Sequence, residues 1–361
     1  MGLPLRREAT GAVRWAFHGL SESPDIGDNG HMTPSSIPDP LGVRASTAAV
    51  MARAHHVRLV PEAAARLADA WVAAGLTPPV WEGRHHWFDG THRSANWLLA
   101  LDAVNFSFWS QDPDLRWEVE YKGETLDGYW ALAACLTRAV EEGRRIWDAG
   151  FLTNLYPGDA THIFRGAKVS NMPPMLFDRL NNLREVGRVL QQDYQGQFMH
   201  VIERAKGNVV HLVALLARDF PSFNDVAEHD GEEVYFYKRA QLLVSDLWGA
   251  FGGKGHGAFG NLEVLTAFAD YKLPQLLRHH GVLAYEPELA TTIEARAIIP
   301  QGSAEEVEIR AATVQACELL RDLLAERGLV IHAFQVDWLL WQQSQGMAMA
   351  HPYHLTRSIY Y

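Results

Sequence analysis

Only two cysteines, Cys135 and Cys317, occur in 361 residues. That is too few for a disulfide framework or a thiolate metal site, and a reducing, cytoplasmic setting is expected. A run of about 18 apolar residues is also missing, and the first residues carry arginines without the apolar core of a signal peptide, so neither a membrane span nor export is expected. Basic residues are scarce: 32 Lys and Arg against 43 Asp and Glu give a net charge of −11. Nucleic acids draw affinity from clustered Lys and Arg, so this balance argues against such a partner and for a small ligand. No glycine loop followed by Lys-Ser or Lys-Thr is present, and no Gly-x-Ser-x-Gly elbow, which removes P-loop chemistry and that serine-hydrolase arrangement.

The 48% hydrophobic content supports a sizeable core. Residues 19–42 are rich in Ser, Pro, Asp and Gly and read as part of an N-terminal arm, partly mobile, over 1–45; a single compact domain is expected over 46–361. Helical periodicity marks 60–74, 128–142, 176–192, 198–220, 235–251, 262–280 and 305–327. The clearest strand signal is Asn105 to Trp109 followed by Arg116 to Tyr121, with Lys122, Gly123 and Glu124 as the turn of a short antiparallel hairpin. A loop crowded with Trp81, His85, His86, Trp87 and His92 has the reach to meet a pocket. The fold class is mostly α with a small β element.

Chemistry concentrates between Val234 and Gly281. Apolar positions from Phe236 to Phe251 recur at helical spacing, leaving Lys238, Arg239 and Gln241 off the stripe. A turn with five glycines between Gly252 and Gly260 follows, and then Asp270 at the start of a helix whose first turn tolerates Pro274. There a positive helix terminus would keep the carboxylate ionised, suited to opposing positive charge on a sugar ring; the plain alternative is an N-capping role. A second acid, Asp337, falls among Val330, Phe334, Leu340 and Trp341, where an unpaired carboxylate is costly and its pKa rises. Its structural alternative is a salt bridge to an arginine such as Arg310 or Arg357. Lys238 and Arg239 offer a point charge and a planar fork for a phosphate. Phe106, Phe108, Trp109, Tyr237, Phe268, Tyr271 and Trp338 have flat faces for a base, although most core aromatics only pack. His200, His211 and the His229-Asp230 pair admit a metal-phosphohydrolase reading of the HD type, but their spacing is not that of a metal site.

The helix, the glycine-bearing turn and the acid at the next helix resemble the catalytic half of helix-hairpin-helix base-excision glycosylases. A more specific resemblance runs from about Trp81 to Tyr361. The segments Asn105-Phe106-Ser107-Phe108-Trp109, Gly128-Tyr129-Trp130, Phe236-Tyr237-Lys238-Arg239-Ala240-Gln241, Phe268-Ala269-Asp270-Tyr271, Glu306-Val307-Glu308-Ile309-Arg310 and the terminal Thr356 to Tyr361 are similar to the queuosine salvage protein family. The resemblance implies a fold related to DNA glycosylases and hydrolysis of queuosine 5'-phosphate to queuine, without a cofactor. It implies catalytic roles for Asp337, Asp270 and Lys238, with the order of the two acids open. Phe106, Trp109, His200, Asp230, Phe236, Tyr237, Arg239, Phe268, Tyr271 and Trp338 are the expected substrate contacts, Asp230 or His200 reading the base edge. The sequence departs from the family pattern at Gly166-Ala167, at His200 and at Gln342. The competing readings are a DNA glycosylase, disfavoured by charge, and a non-catalytic nucleotide-binding helical protein.

Overall fold

The computed structural model describes residues 37–167, 172–345 and 347–361. The expected arm therefore lies outside the described residues except for 37–45. Within that part Leu41 is buried, and Gly42, left-handed at φ 70°, starts a helix before Ser46.

Fourteen α-helices and six short strands make up the described residues. Helix α1 (Val43–Met51) leads to β1 (Val57–Leu59) and α2 (Pro61–Ala73), which Pro61 opens in the first turn, where its missing N–H costs nothing. Helix α3 (His92–Ala103) is capped by the Thr91 hydroxyl, which accepts the Arg93 N–H at 3.1 Å. Strands β2 (Glu118–Tyr121) and β3 (Glu124–Asp127) form the expected hairpin and run directly into α4 (Gly128–Glu141). Next come α5 (Ala149–Thr153), α6 (Pro157–Ile163) and α7 (Leu176–Asp193). Gly187 lets α7 lie against α5, since a methyl group there would sit 2.4 Å from the Thr153 nitrogen.

The expected helix over 198–220 is two: α8 (Met199–Ala205) and α9 (Val209–Asp219), broken where Lys206 and Gly207 both turn left-handed. A second hairpin, β4 (Val226–His229) with β5 (Glu232–Tyr235), takes the start of the next expected helix, so α10 spans only Lys238–Ala250. Residues 262–280 likewise divide into a 3-10 turn, an irregular segment and α11 (Lys272–His279). Residues 105–109 form no strand; Ser107 is left-handed, and Arg179 takes the carbonyls of Phe106 and Ser107. Strand β6 (Leu283–Tyr285) pairs antiparallel with β1, and α12 (Pro287–Glu294) leads to the two closing helices, α13 (Ala304–Glu326) and α14 (Ala333–Ser344).

Helix α13 stands between two hydrophobic clusters. Val307, Ala311 and Val314 face one, while Ile309, Ala312, Ala316, Leu320 and Leu324 face the other. Its buried charges are matched: the Glu308 carboxylate accepts the N–H groups of His55, His56 and Val57, and Glu318 pairs with Arg44 at 2.9 Å. No helix among the described residues is long and apolar enough to cross a membrane.

Candidate active site

Where the first hairpin, α10, the segment before α11 and α14 converge, a cavity of about 270 Å³ opens. Lys238, the first residue of α10, is a buried cation in its lining. The sequence pattern put Lys238, Arg239 and Gln241 off the buried stripe, but α10 is enclosed on nearly all sides and all three are buried. Tyr237, left-handed at φ 47°, turns the chain into the helix, and the Asp225 carboxylate accepts the Lys238 N–H at 3.1 Å.

Four carboxyls surround the Lys238 ammonium closely enough to be held down by it: Asp102, Asp246, Asp270 and Asp337. Asp270 anchors one oxygen on the N–H groups of Lys272 and Leu273, at 2.8 and 2.9 Å. Desolvation raises its pKa, against the pull of Lys238 and the two N–H groups of the helix terminus. Asp337, on α14, accepts the Phe268 N–H at 2.7 Å. Burial and then the neighbouring Asp270 charge drive it well above the usual carboxylate range. The expected salt bridge to Arg310 is absent, because that guanidinium is committed to Asp225. Lys238 is pushed down by burial and pulled back up chiefly by Asp270 and Asp102.

Asp246, two turns along α10, went unnoticed in the sequence, although an acid beside Leu243, Val244 and Leu247 on a buried helix is itself a signal. Burial lifts it to about 7, with the Trp81 indole and Lys238 opposing. Trp81 donates its Nε1–H to Asp246 at 3.0 Å and rests on Gly249, where a methyl group would lie 2.3 Å from the indole Cγ. The histidine- and tryptophan-rich loop thus reaches the cavity through Trp81, with His86 stacked behind it.

Of the expected contacts, Phe106, Phe268, Tyr271 and Trp338 line the cavity with Lys238, Asp270 and Asp337. Six others do not. Trp109 is buried and donates its indole N–H to the Thr356 carbonyl. His200, on α8, pairs with Glu203, and Asp230 is exposed at the β4–β5 turn, where His229 faces Glu308. Those positions leave the HD-type grouping scattered, and neither His200 nor Asp230 lines the cavity. Phe236 lies under Arg310, whose guanidinium carbon is 3.9 Å from its ring centre, and Tyr237 stacks on Tyr235. Arg239 turns Nη1 and Nη2 to the carbonyls of Asp102, Ala103 and Ser222 and does not line the cavity.

A different wall is cationic. Arg116, Lys272 and Arg296 line the cavity together with Tyr353. Arg296 is held by the carbonyls of Ser110 and Gln111 at 2.6 and 2.9 Å, Arg116 by Asp127 at 3.1 Å, and Lys272 lies 5.2 Å from the Tyr353 ring centre. Burial lowers the Lys272 pKa, against the charges of Asp127 and Asp270. Such a wall suits an anion, while the carboxyls and Lys238 suit a centre on which positive charge develops.

The chain matches the family described as queuosine salvage protein over residues 85–361. A Sphaerobacter thermophilus protein named queuosine 5'-phosphate N-glycosylase/hydrolase is 48% identical over 324 residues, 90% of this chain and 98% of its own. Proteins of the same name from Mus musculus and Bos taurus are 33% and 35% identical, covering 89% and 75% of this chain and 99% and 83% of their own.

Proposed function

The chain belongs to the queuosine salvage protein family, and on that premise we propose that it hydrolyses the N-glycosidic bond of queuosine 5'-phosphate, releasing queuine for reuse in tRNA modification. The observation that carries the reading at the level of side chains is the group of Lys238, Asp270 and Asp337 in an aromatic cavity with a cationic wall. Arg116, Lys272 and Arg296 take the 5'-phosphate, because they line the cavity and Arg239 does not. Phe106, Phe268, Tyr271 and Trp338 enclose the ribose and base.

Two acids whose surroundings push their pKa values apart divide the work of acid and base. Asp270 has Lys238 as its strongest counter-charge and two backbone N–H groups on one oxygen, so it is the anion. Its carboxylate opposes the charge of an oxocarbenium-like centre and accepts a proton from the attacking water. Asp337, raised by burial and by Asp270, keeps its proton. As the bond from the anomeric carbon to the base nitrogen breaks, its electrons pass to the base, and Asp337 supplies the proton. A 7-deazapurine lacks the five-ring nitrogen that ordinary purines offer, so the proton goes to the six-membered ring. The products are ribose 5-phosphate and queuine.

Kinship with the helix-hairpin-helix glycosylases belongs to the same reading, with α10, the glycine-bearing turn after it and Asp270 ahead of α11 as the shared elements. A small-molecule substrate and a cytoplasmic site of action fit the net charge of −11 and the two unpaired cysteines. The test is to incubate the protein with queuosine 5'-phosphate and follow free queuine by chromatography. Release at catalytic rates is expected; binding of the nucleotide with no release would leave a nucleotide-binding protein instead.

A further inference from the structure

Buried Arg310 makes its hydrogen bonds in the plane of the guanidinium: two to the Asp225 carboxylate at 2.9 and 2.6 Å, and one from Nε to the Ala269 carbonyl at 3.3 Å. Bonds of that kind resist sliding within the plane and resist tilting out of it far less. Ring faces supply the missing restraint, since the guanidinium carbon lies 3.9 Å from the Phe236 ring centre and 4.4 Å from that of Tyr361. Phe236 belongs to the segment that enters α10 and is fixed together with Lys238. Tyr361 is tied down independently. Its carbonyl accepts the Ser107 N–H at 2.9 Å, the Ser107 hydroxyl donates to the Ser358 carbonyl at 2.9 Å, and the Leu355 carbonyl accepts the Ile299 N–H at 2.8 Å. The buried Tyr361 hydroxyl lies 3.4 Å from Nε2 of His354, an imidazole left uncharged because burial lowers its pKa to about 3.

The longest of the three Arg310 hydrogen bonds is the one nearest the chemistry. A tilt of the guanidinium stretches the bond to Ala269 first, and the next residue is Asp270, whose carboxylate is held from the other side by the N–H groups of Lys272 and Leu273. Moving one anchor without the other turns the carboxylate away from its target, and a misplacement of about 1 Å at a reacting group costs on the order of a hundredfold in rate. We propose that Tyr361 is a positioning residue for the hydrolysis: its ring holds the Arg310 guanidinium against the Ala269 carbonyl and so keeps the Asp270 carboxylate facing the sugar. Tyr361 acts through Arg310 and needs no bond to the substrate. This deepens the hydrolase reading and rests on it for the role of Asp270.

Queuine release from queuosine 5'-phosphate by the full chain tests this, with the folding of each variant checked by circular dichroism. Tyr361→Leu keeps an apolar side chain but removes the ring face, and kcat should fall at least about tenfold while KM stays within about twofold. Tyr361→Phe restores the face without the hydroxyl and should bring kcat back to within about threefold of the unmodified protein. Added to Asp270→Asn, the Leu substitution should cost less than about twofold, because the carboxylate it positions is no longer there. An unchanged kcat in folded Tyr361→Leu overturns the proposal, as does an effect confined to KM or a full-sized loss on top of Asp270→Asn. Should the Leu variant fail to fold, Tyr361→Phe decides: a loss of about tenfold there assigns the effect to the hydroxyl and overturns the role of the ring, whereas kcat within about threefold upholds it. No release by the unmodified protein removes the hydrolase reading, whereas release that Tyr361→Leu leaves untouched removes the positioning role alone.

Discussion

Arg310 grips Asp225 with two nearly parallel hydrogen bonds, at 2.9 and 2.6 Å, and both side chains are 2% exposed. Each partner also holds a functional segment. Asp225 accepts the Lys238 N–H through its carboxylate and the N–H groups of Phe236 and Tyr237 through its carbonyl, fixing the start of α10. Arg310 donates to the Ala269 carbonyl, next to Asp270. One ion pair therefore sets the spacing between the lysine and the acid. Arg310→Met strands a buried carboxylate and is expected to cost about 3–5 kcal/mol. Urea unfolding measures it, and a loss below about 1 kcal/mol would mean that Asp225 finds another partner.

Asn at position 270 still accepts the two backbone N–H groups but carries no charge. Asp270→Asn is expected to remain folded and to lose at least about a hundredfold in kcat. Asp337→Asn should lose as much on queuosine 5'-phosphate yet recover on 4-nitrophenyl riboside 5-phosphate, whose leaving group needs no proton. Recovery of Asp270→Asn instead would reverse the two roles.

The Lys238 ammonium lowers the pKa of every carboxyl around it. Lys238→Met removes that pull, so Asp270 holds its proton to higher pH and the acidic limb of the kcat/KM profile moves upward. A profile that keeps its position while falling in height would show that Lys238 contacts substrate without tuning Asp270.

Ionising Asp246 costs stability, because its folded pKa of about 7 exceeds the ordinary aspartate value of 3.8. The folded state binds more protons than the unfolded one between those values. Stability from this group is therefore greatest in acid and is lost as pH rises towards 7. Asn does not titrate, so Asp246→Asn should gain on the unmodified protein by about 2–3 kcal/mol more at pH 8 than at pH 5. Urea titrations at both pH values test this, and a pH-independent difference would show that Asp246 does not ionise in the window.

Helix positions were legible because burial on one face imprints a period: α2, α4, α7 and α13 fall close to the reading from apolar spacing alone. What spacing does not encode is a break made by backbone conformation, as at Lys206, Tyr237 and Ser107, which are left-handed without being glycine. Three-residue strands such as β1 and β6 leave no period to read. Within the site, Lys238 and Asp270 stood out through family motifs and Asp337 as an acid among apolar side chains, and all three line the cavity. Asp246 was overlooked because one polar residue in an apolar helix face scarcely disturbs the pattern. Arg239 adjoins Lys238 in sequence but does not line the cavity, since a helix sends adjacent side chains about 100° apart.

The pairing of β1 with β6 also governs the order of assembly. Val57 is hydrogen-bonded through its N–H to Glu308, 251 residues further on, and lies opposite Tyr285 in the ladder. During synthesis at about 5–20 residues per second, that stretch takes roughly ten to fifty seconds to emerge. Throughout that interval the edge of β1 and the apolar faces of α1 and α2 await their partners, a period of exposure in which chaperone binding competes with aggregation. The segments that close the fold are made early and seated late.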